Sequence, residues 1–135
     1  MPYIDPTGEQ LQRFMEKGPD GPIVMLNLLK FRDKAAYADD AGEPTRSGAE
    51  AYGVYSETAL QKVRGVGGSL FFGSPAHAAV IGPDGEWDMV ALVQYPSRQA
   101  FLTMVSDPEY QACTHHRSAA LADSRLIPMT PPEGQ

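Results

Sequence analysis

The chain has 135 residues, of which 42% are hydrophobic and 21% charged, the length and balance of one globular domain with a real core. Its formal net charge of −6, with no basic cluster rising above it, speaks against nucleic acid and anionic membranes as partners. The single cysteine, Cys113, cannot close an intrachain disulfide. Met1-Pro-Tyr-Ile-Asp5 does not read as a signal peptide, and no apolar run reaches the ~20 residues that span a bilayer, so a cytoplasmic protein is expected.

In chain order, Thr7 with Gln10 three residues on has capping-box spacing and opens a short helix with Leu11, Phe14 and Met15 inward, ended by Gly18. Ile23 to Phe31 is the most apolar run and reads as the central strand. Alternation puts Ile23, Met25, Asn27, Leu29 and Phe31 on one face and Val24, Leu26, Leu28 and Lys30 on the other. Both faces are mostly apolar, so both need a cover. A long polar stretch from Arg32 to about Ser47 follows, a solvated loop or a lid.

Ser47 and Glu50 form a second capping box, and the helix they open runs to about Val63 with Tyr52 and Tyr55 on its apolar face. Ser69–Phe72 is a strand, Gly73-Ser-Pro75 breaks or bulges it, and 76–81 resumes as extended chain before the turn Gly82-Pro-Asp-Gly85. Trp87 to Tyr95 is the third strand, with Trp87 and Tyr95 on one face. Ser97 caps a helix, and Asp107-Pro-Glu109 starts another that reaches about Ala122. Arg125 to Met129 is a final strand, placed at an edge because Pro128 cannot donate to a ladder. The whole is one domain over 1–135, with 1–20 an N-terminal helical extension and 130–135 a flexible tail.

After the leading helix the order is strand, helix, strand, strand, helix, strand. That is the ferredoxin-like split pattern: an α+β fold whose four-stranded antiparallel sheet has helices on one face. The other face is expected to be hidden in a two-fold homodimer, because a large apolar sheet face is unusual on a monomer. The run Gly21 to Phe31, then Trp87-Asp88, Tyr95-Pro-Ser97, Asp107-Pro-Glu-Tyr110, and His116-Arg117 with Ala119-Ala120-Leu121, resembles the DUF1330 family over nearly the whole chain. The resemblance implies a dimeric α+β barrel. That superfamily includes cofactor-free monooxygenases, lactone isomerases and haem enzymes, and the resemblance names no reaction.

The candidate site residues are the polar groups that interrupt this apolar scaffold. Asn27 is a buried amide that either braces a neighbouring element or hydrogen-bonds at the floor of a cavity. Lys30 lies near the strand end, facing away from Asn27, with Asp88 a possible partner. Tyr52, Tyr55, Trp87 and Tyr95 line a cleft or pack in the core. His116 is the candidate base, and Arg117 or Lys30 would steady developing negative charge or, for Arg117, brace the helix.

Neighbouring residues on a helix diverge by about 100°, so His115 and His116 are not expected to share a metal, and no other metal spacing is present. No cofactor is predicted, with haem left open through His116. Nucleotide-binding glycine motifs and a nucleophile elbow are absent. The expectation is a homodimer that binds a small organic ligand, either as a cofactor-independent enzyme or as a binding module without catalysis.

Overall fold

In the computed structural model, which describes residues 2–132, each helix among the described residues starts at a side chain that accepts from its free amides. Thr7 opens α1 (Gly8–Lys17) and Ser47 opens α2 (Gly48–Gly65), each through a reciprocal capping box. Ser97 caps α3 (Arg98–Val105), and Asp107 caps α4 (Pro108–Ala120) with proline in the first turn. Between them run β1 (Ile23–Phe31), β2 (Ser69–Pro75), β3 (Met89–Tyr95) and β4 (Leu121–Met129). The strands form one sheet in the order β2-β3-β1-β4, every neighbouring pair antiparallel. This is the ferredoxin-like arrangement, with β1 and β3 central and proline-bearing β4 at an edge. No described helix is long and apolar enough to cross a membrane.

The core lies between the sheet and the helices in two adjoining clusters. One gathers Ile23 and Met25 of β1 with Tyr55, Ala59 and Val63 of α2, Phe101 and Met104 of α3, and Tyr110 and Cys113 of α4. The other gathers Leu29, Ala51, Ala120 and Leu121. Tyr52 packs against both. α1 joins through Phe14, whose ring stands edge-on to Phe101 at 5.6 Å, whereas Met15 is exposed.

Three sequence expectations need correction. The irregularity in β2 is a bulge between Leu70 and Phe72, and Gly73 to Pro75 stay paired with β3. Residues 76–81 do not resume as a strand. The ladder on β3 ends at Pro75–Met89, so Val80 and Ile81 find no partner and are 99% and 95% exposed. Finally, β4 begins at Leu121, directly after α4. The last carbonyls of the helix accept from Arg32 and Ala36 (Ala120 O at 2.8 Å, Ala119 O at 2.8 Å), and fully buried Leu121 pairs with Phe31. The tail expected over 130–135 lies partly outside the described residues.

The stretch 32–47 has no regular structure but is stitched down. Ala35 N donates to Arg46 O and Gly48 N to Arg32 O, at 2.9 and 3.0 Å. Gly48 is required here: a Cβ would run into the carbonyl oxygens of Arg32 and Ala120. At the N-terminus, Tyr3 and Ile4 form a strap. Tyr3 N donates to Asp123 Oδ1 (2.8 Å), and Ser124 Oγ donates to Tyr3 O (2.6 Å).

Candidate functional site

Strand register fixes which residues share a row. On the helix-facing side one row reads Gly73, Ala91, Asn27, Leu126 across all four strands. Two of these have almost no side chain, so the row is a trough between the bulkier rows of Met25 and Leu29. Asn27 sits in it, half-buried. Its amide nitrogen makes only long bonds, to Met25 O (3.3 Å) and Ala91 O (3.4 Å). Its Oδ1 meets no donor among the described residues, yet no sealed side-chain polar atom there lacks a partner, so this oxygen faces an opening.

α2 and α4 bring aromatic side chains together in the core. Tyr52 and Tyr55 lie 5.2 Å apart, and the Tyr55 hydroxyl meets the Tyr110 hydroxyl at 2.6 Å. Burial raises the Tyr52 pKa to about 12 and pushes Tyr55 and Tyr110 up as well, so all three phenols are neutral at pH 7. The Arg117 guanidinium partly offsets this at each of the three. Arg117 donates to Ile4 O at 2.6 Å and forms no ion pair among the described residues. Among the described residues, its remaining N–H groups and the Tyr52 hydroxyl are therefore uncommitted donors.

His116 does not join this group. It turns from α4 toward the 32–47 loop, where its Nδ1 is 2.7 Å from the Tyr37 hydroxyl. Arg46 donates to the same hydroxyl (3.1 Å) and to Glu43 Oε2 (2.8 Å). Desolvation, and then the neighbouring His115, lower the His116 pKa. The His115 and His116 rings do not splay apart as expected. Their centroids are 4.0 Å apart with the planes tilted by 37°, because rotation about two side-chain bonds overrides the divergence of their Cβ directions. The surroundings of His116 are polar, unlike the broad apolar slot a haem face requires.

The other candidates are dispersed. Lys30 Nζ lies on the opposite sheet face at the rim, 3.4 Å from Asp88 Oδ1 and 2.8 Å from Gly85 O. Asp88 also accepts from Phe31 N at 2.8 Å, so this pair clips β1 to the start of β3. Trp87 precedes β3 instead of lying within it, and its ring carries the Arg125 guanidinium at 5.1 Å. Tyr95 belongs to the core, edge-on to Phe101 at 5.3 Å with its hydroxyl on Met104 Sδ. A shallow, open depression of about 450 Å³ lies at the β1 end, lined by Phe31, Arg32, Ser47, Asp88 and Met89, away from Asn27.

Of the sequence candidates, then, Tyr52, Tyr55, Tyr95 and Arg117 gather around Tyr110, Asn27 lies in its own row of the sheet, and His116, Lys30 and Trp87 lie elsewhere. Tyr110 was missed as a site residue although it shares the Cys113 and Arg117 stripe. Tyr37, Glu43 and Arg46 were missed because they lie in a stretch without periodicity, and only the fold carries them to α4.

Comparison with known proteins agrees with this fold. A crystal structure of a protein of unknown function from Rhodopseudomonas palustris is 39% identical, covers 98% of this chain and 99% of its own, and superposes with a TM-score of 0.89. An uncharacterised NIPSNAP-like domain protein from Burkholderia xenovorans (18% identity, 84% and 88% coverage, TM-score 0.52) shares the fold. So does a dabb family protein described as ferredoxin-like from Mesorhizobium loti (13%, 83% and 98%, 0.52). No curated protein matches the chain. The family model for the domain of unknown function DUF1330 matches residues 43–129, and with that match and the full-length relative the chain belongs to the DUF1330 family.

Proposed function

We propose that this protein is a homodimer that binds a small organic acid, phenol or enolate in the trough between sheet and helices. The observation that carries the reading is Arg117: a guanidinium without a carboxylate partner among the described residues, whose charge is felt by three desolvated phenols. A ligand oxyanion would take the charge-assisted hydrogen bonds that Arg117 and Tyr52 hold in reserve. Asn27 would orient a neighbouring polar group, and Met25, Ala91 and Leu126 would supply apolar walls.

Any reaction would be proton transfer, isomerisation or oxygen insertion on such a ligand. Arg117 would steady the developing negative charge and neutral Tyr52 would donate to it. His116, engaged with Tyr37 of the 32–47 stretch, has no part in this version of the site. Dimerisation is supported by the uncovered sheet face. There Phe72, Leu92, Leu26 and Ile127 form one unbroken apolar row across all four strands, and its ends are 56% and 45% exposed. A second copy related by a two-fold axis would cover it.

The test is calorimetry and thermal shift with a panel of small carboxylates and phenols. A ligand that raises the melting temperature of the wild type is expected to bind Arg117→Met at least about 10-fold more weakly, the loss of a charged hydrogen bond, with Arg117→Lys in between. If Arg117→Met and Tyr52→Phe both bind that ligand as the wild type does, the site is elsewhere. If none of the panel binds, the non-catalytic module is the better reading.

A further inference from the structure

Where the 32–47 stretch meets α4, the geometry points to a site for one first-row divalent transition-metal ion, held by Glu43, His115 and His116. The Nε2 atoms of both histidines converge on the same carboxylate oxygen, Glu43 Oε1, at 3.2 and 3.8 Å. All three ligand atoms lie within 4.8 Å of one another. Donors bound about 2.1 Å from one ion stand roughly 3.0–3.4 Å apart in a tetrahedral or octahedral shell, so small rotamer adjustments would close the set.

The outward halves of the same groups are already held as ligands need. His115 Nδ1 is 3.0 Å from Ala112 O, and His116 Nδ1 is 2.7 Å from the Tyr37 oxygen. An imidazole bound through Nε2 keeps its proton on Nδ1 and donates it to such an oxygen, which sets its tautomer and aim. Glu43 is braced in the same way: Arg46 holds Oε2 at 2.8 Å, so that Oε1 is the oxygen turned to the histidines. Two imidazoles and one carboxylate suit zinc, iron, cobalt or nickel, and suit magnesium or calcium poorly. Two ligands come from one turn of α4 and the third from the 32–47 stretch, so an ion here clamps that stretch to the helix. Remaining coordination positions are open to water, since His115 is about half exposed (48%).

The experiment uses the full chain, freed of metal by chelation and titrated with Zn2+ alone and then Ni2+ alone. Calorimetry is expected to show one ion per chain, and Zn2+ to raise the melting temperature. Glu43→Gln, His115→Ala and His116→Ala should each weaken binding at least about 10-fold, and Tyr37→Phe several-fold, while His77→Ala, on an exposed loop, should change nothing. X-ray absorption on the zinc form should report two imidazoles. Binding weaker than about 1 mM overturns the site, as does a loss that is the same in His77→Ala as in His115→Ala. Because His115 is exposed, its variant keeps the comparison valid even if His116→Ala fails to fold.

Discussion

The two faces of the sheet are built from the same strands and nearly the same residue types, yet they have different fates. Under the helices, Ile23 and Leu29 are wholly buried. On the reverse, Phe72 and Ile127 of equally apolar character remain about half exposed. Alternation along β1 supplies hydrophobic side chains to both sides, and only the placement of α2 and α4 decides which side becomes a core. A row can also be apolar for opposite reasons. The Leu26 row is continuous and bulky, suited to packing flat against another sheet. The Asn27 row on the covered side is thinned by Gly73 and Ala91, suited to leaving space.

That contrast can be broken most strongly on the covered side. Leu29→Ala removes a fully buried side chain and is expected to cost about 2–5 kcal/mol of unfolding free energy, measured by denaturant titration. Gly48→Ala should cost about 1–3 kcal/mol by forcing apart the carbonyls of Arg32 and Ala120, and should loosen the 32–47 stretch, read by hydrogen exchange at Ala35 and Ala36.

The uncovered side should behave differently. Ile127→Lys is expected to change the stability of the isolated chain by no more than about 0.5–1 kcal/mol but to abolish self-association in sedimentation equilibrium. A wild-type chain that stays a single subunit at all concentrations would remove the reason for comparing the faces in this way.

The smallest effect is electrostatic and is silent at neutral pH. Tyr52 in the folded chain ionises at about 12 instead of 10.0, because burial disfavours the phenolate. A raised folded-state pKa gives stability that is fully present below pH 10 and is lost as the pH climbs through about 12. Phenolate absorbance followed in wild type and Tyr52→Phe should assign the late-titrating step. A Tyr52 that titrates near 10 would mean that the trough is wetter than the packing indicates.

Much of the fold was legible along the chain. Thr7 with Gln10 and Ser47 with Glu50 announce helix starts because the capping groups are three residues apart, a purely local interaction. Pro128 places β4 at an edge for an equally local reason, its missing donor. Val80 and Ile81 misled because β-branched residues suit a strand, but a strand also needs a neighbour, and none reaches them. In the candidate site, Asn27 stood out as an amide in an apolar run, and Tyr52, Tyr55 and Arg117 could be placed on helix faces by period. The pairing of Lys30 with Asp88 was also legible, since antiparallel register brings a strand end against a strand start.

By itself the sequence determined the elements, their order, their capping and the two greasy faces of β1, since each depends on residues within a few positions of one another. Tertiary structure alone decided that Arg117 and His116, adjacent in the chain, take different partners, the N-terminal strap at Ile4 and the 32–47 stretch at Tyr37. It also decided that Glu43, some seventy residues away, meets the histidines. Contacts of that kind depend on where the irregular 32–47 stretch is pinned, and a stretch without periodicity carries no local signal of its destination.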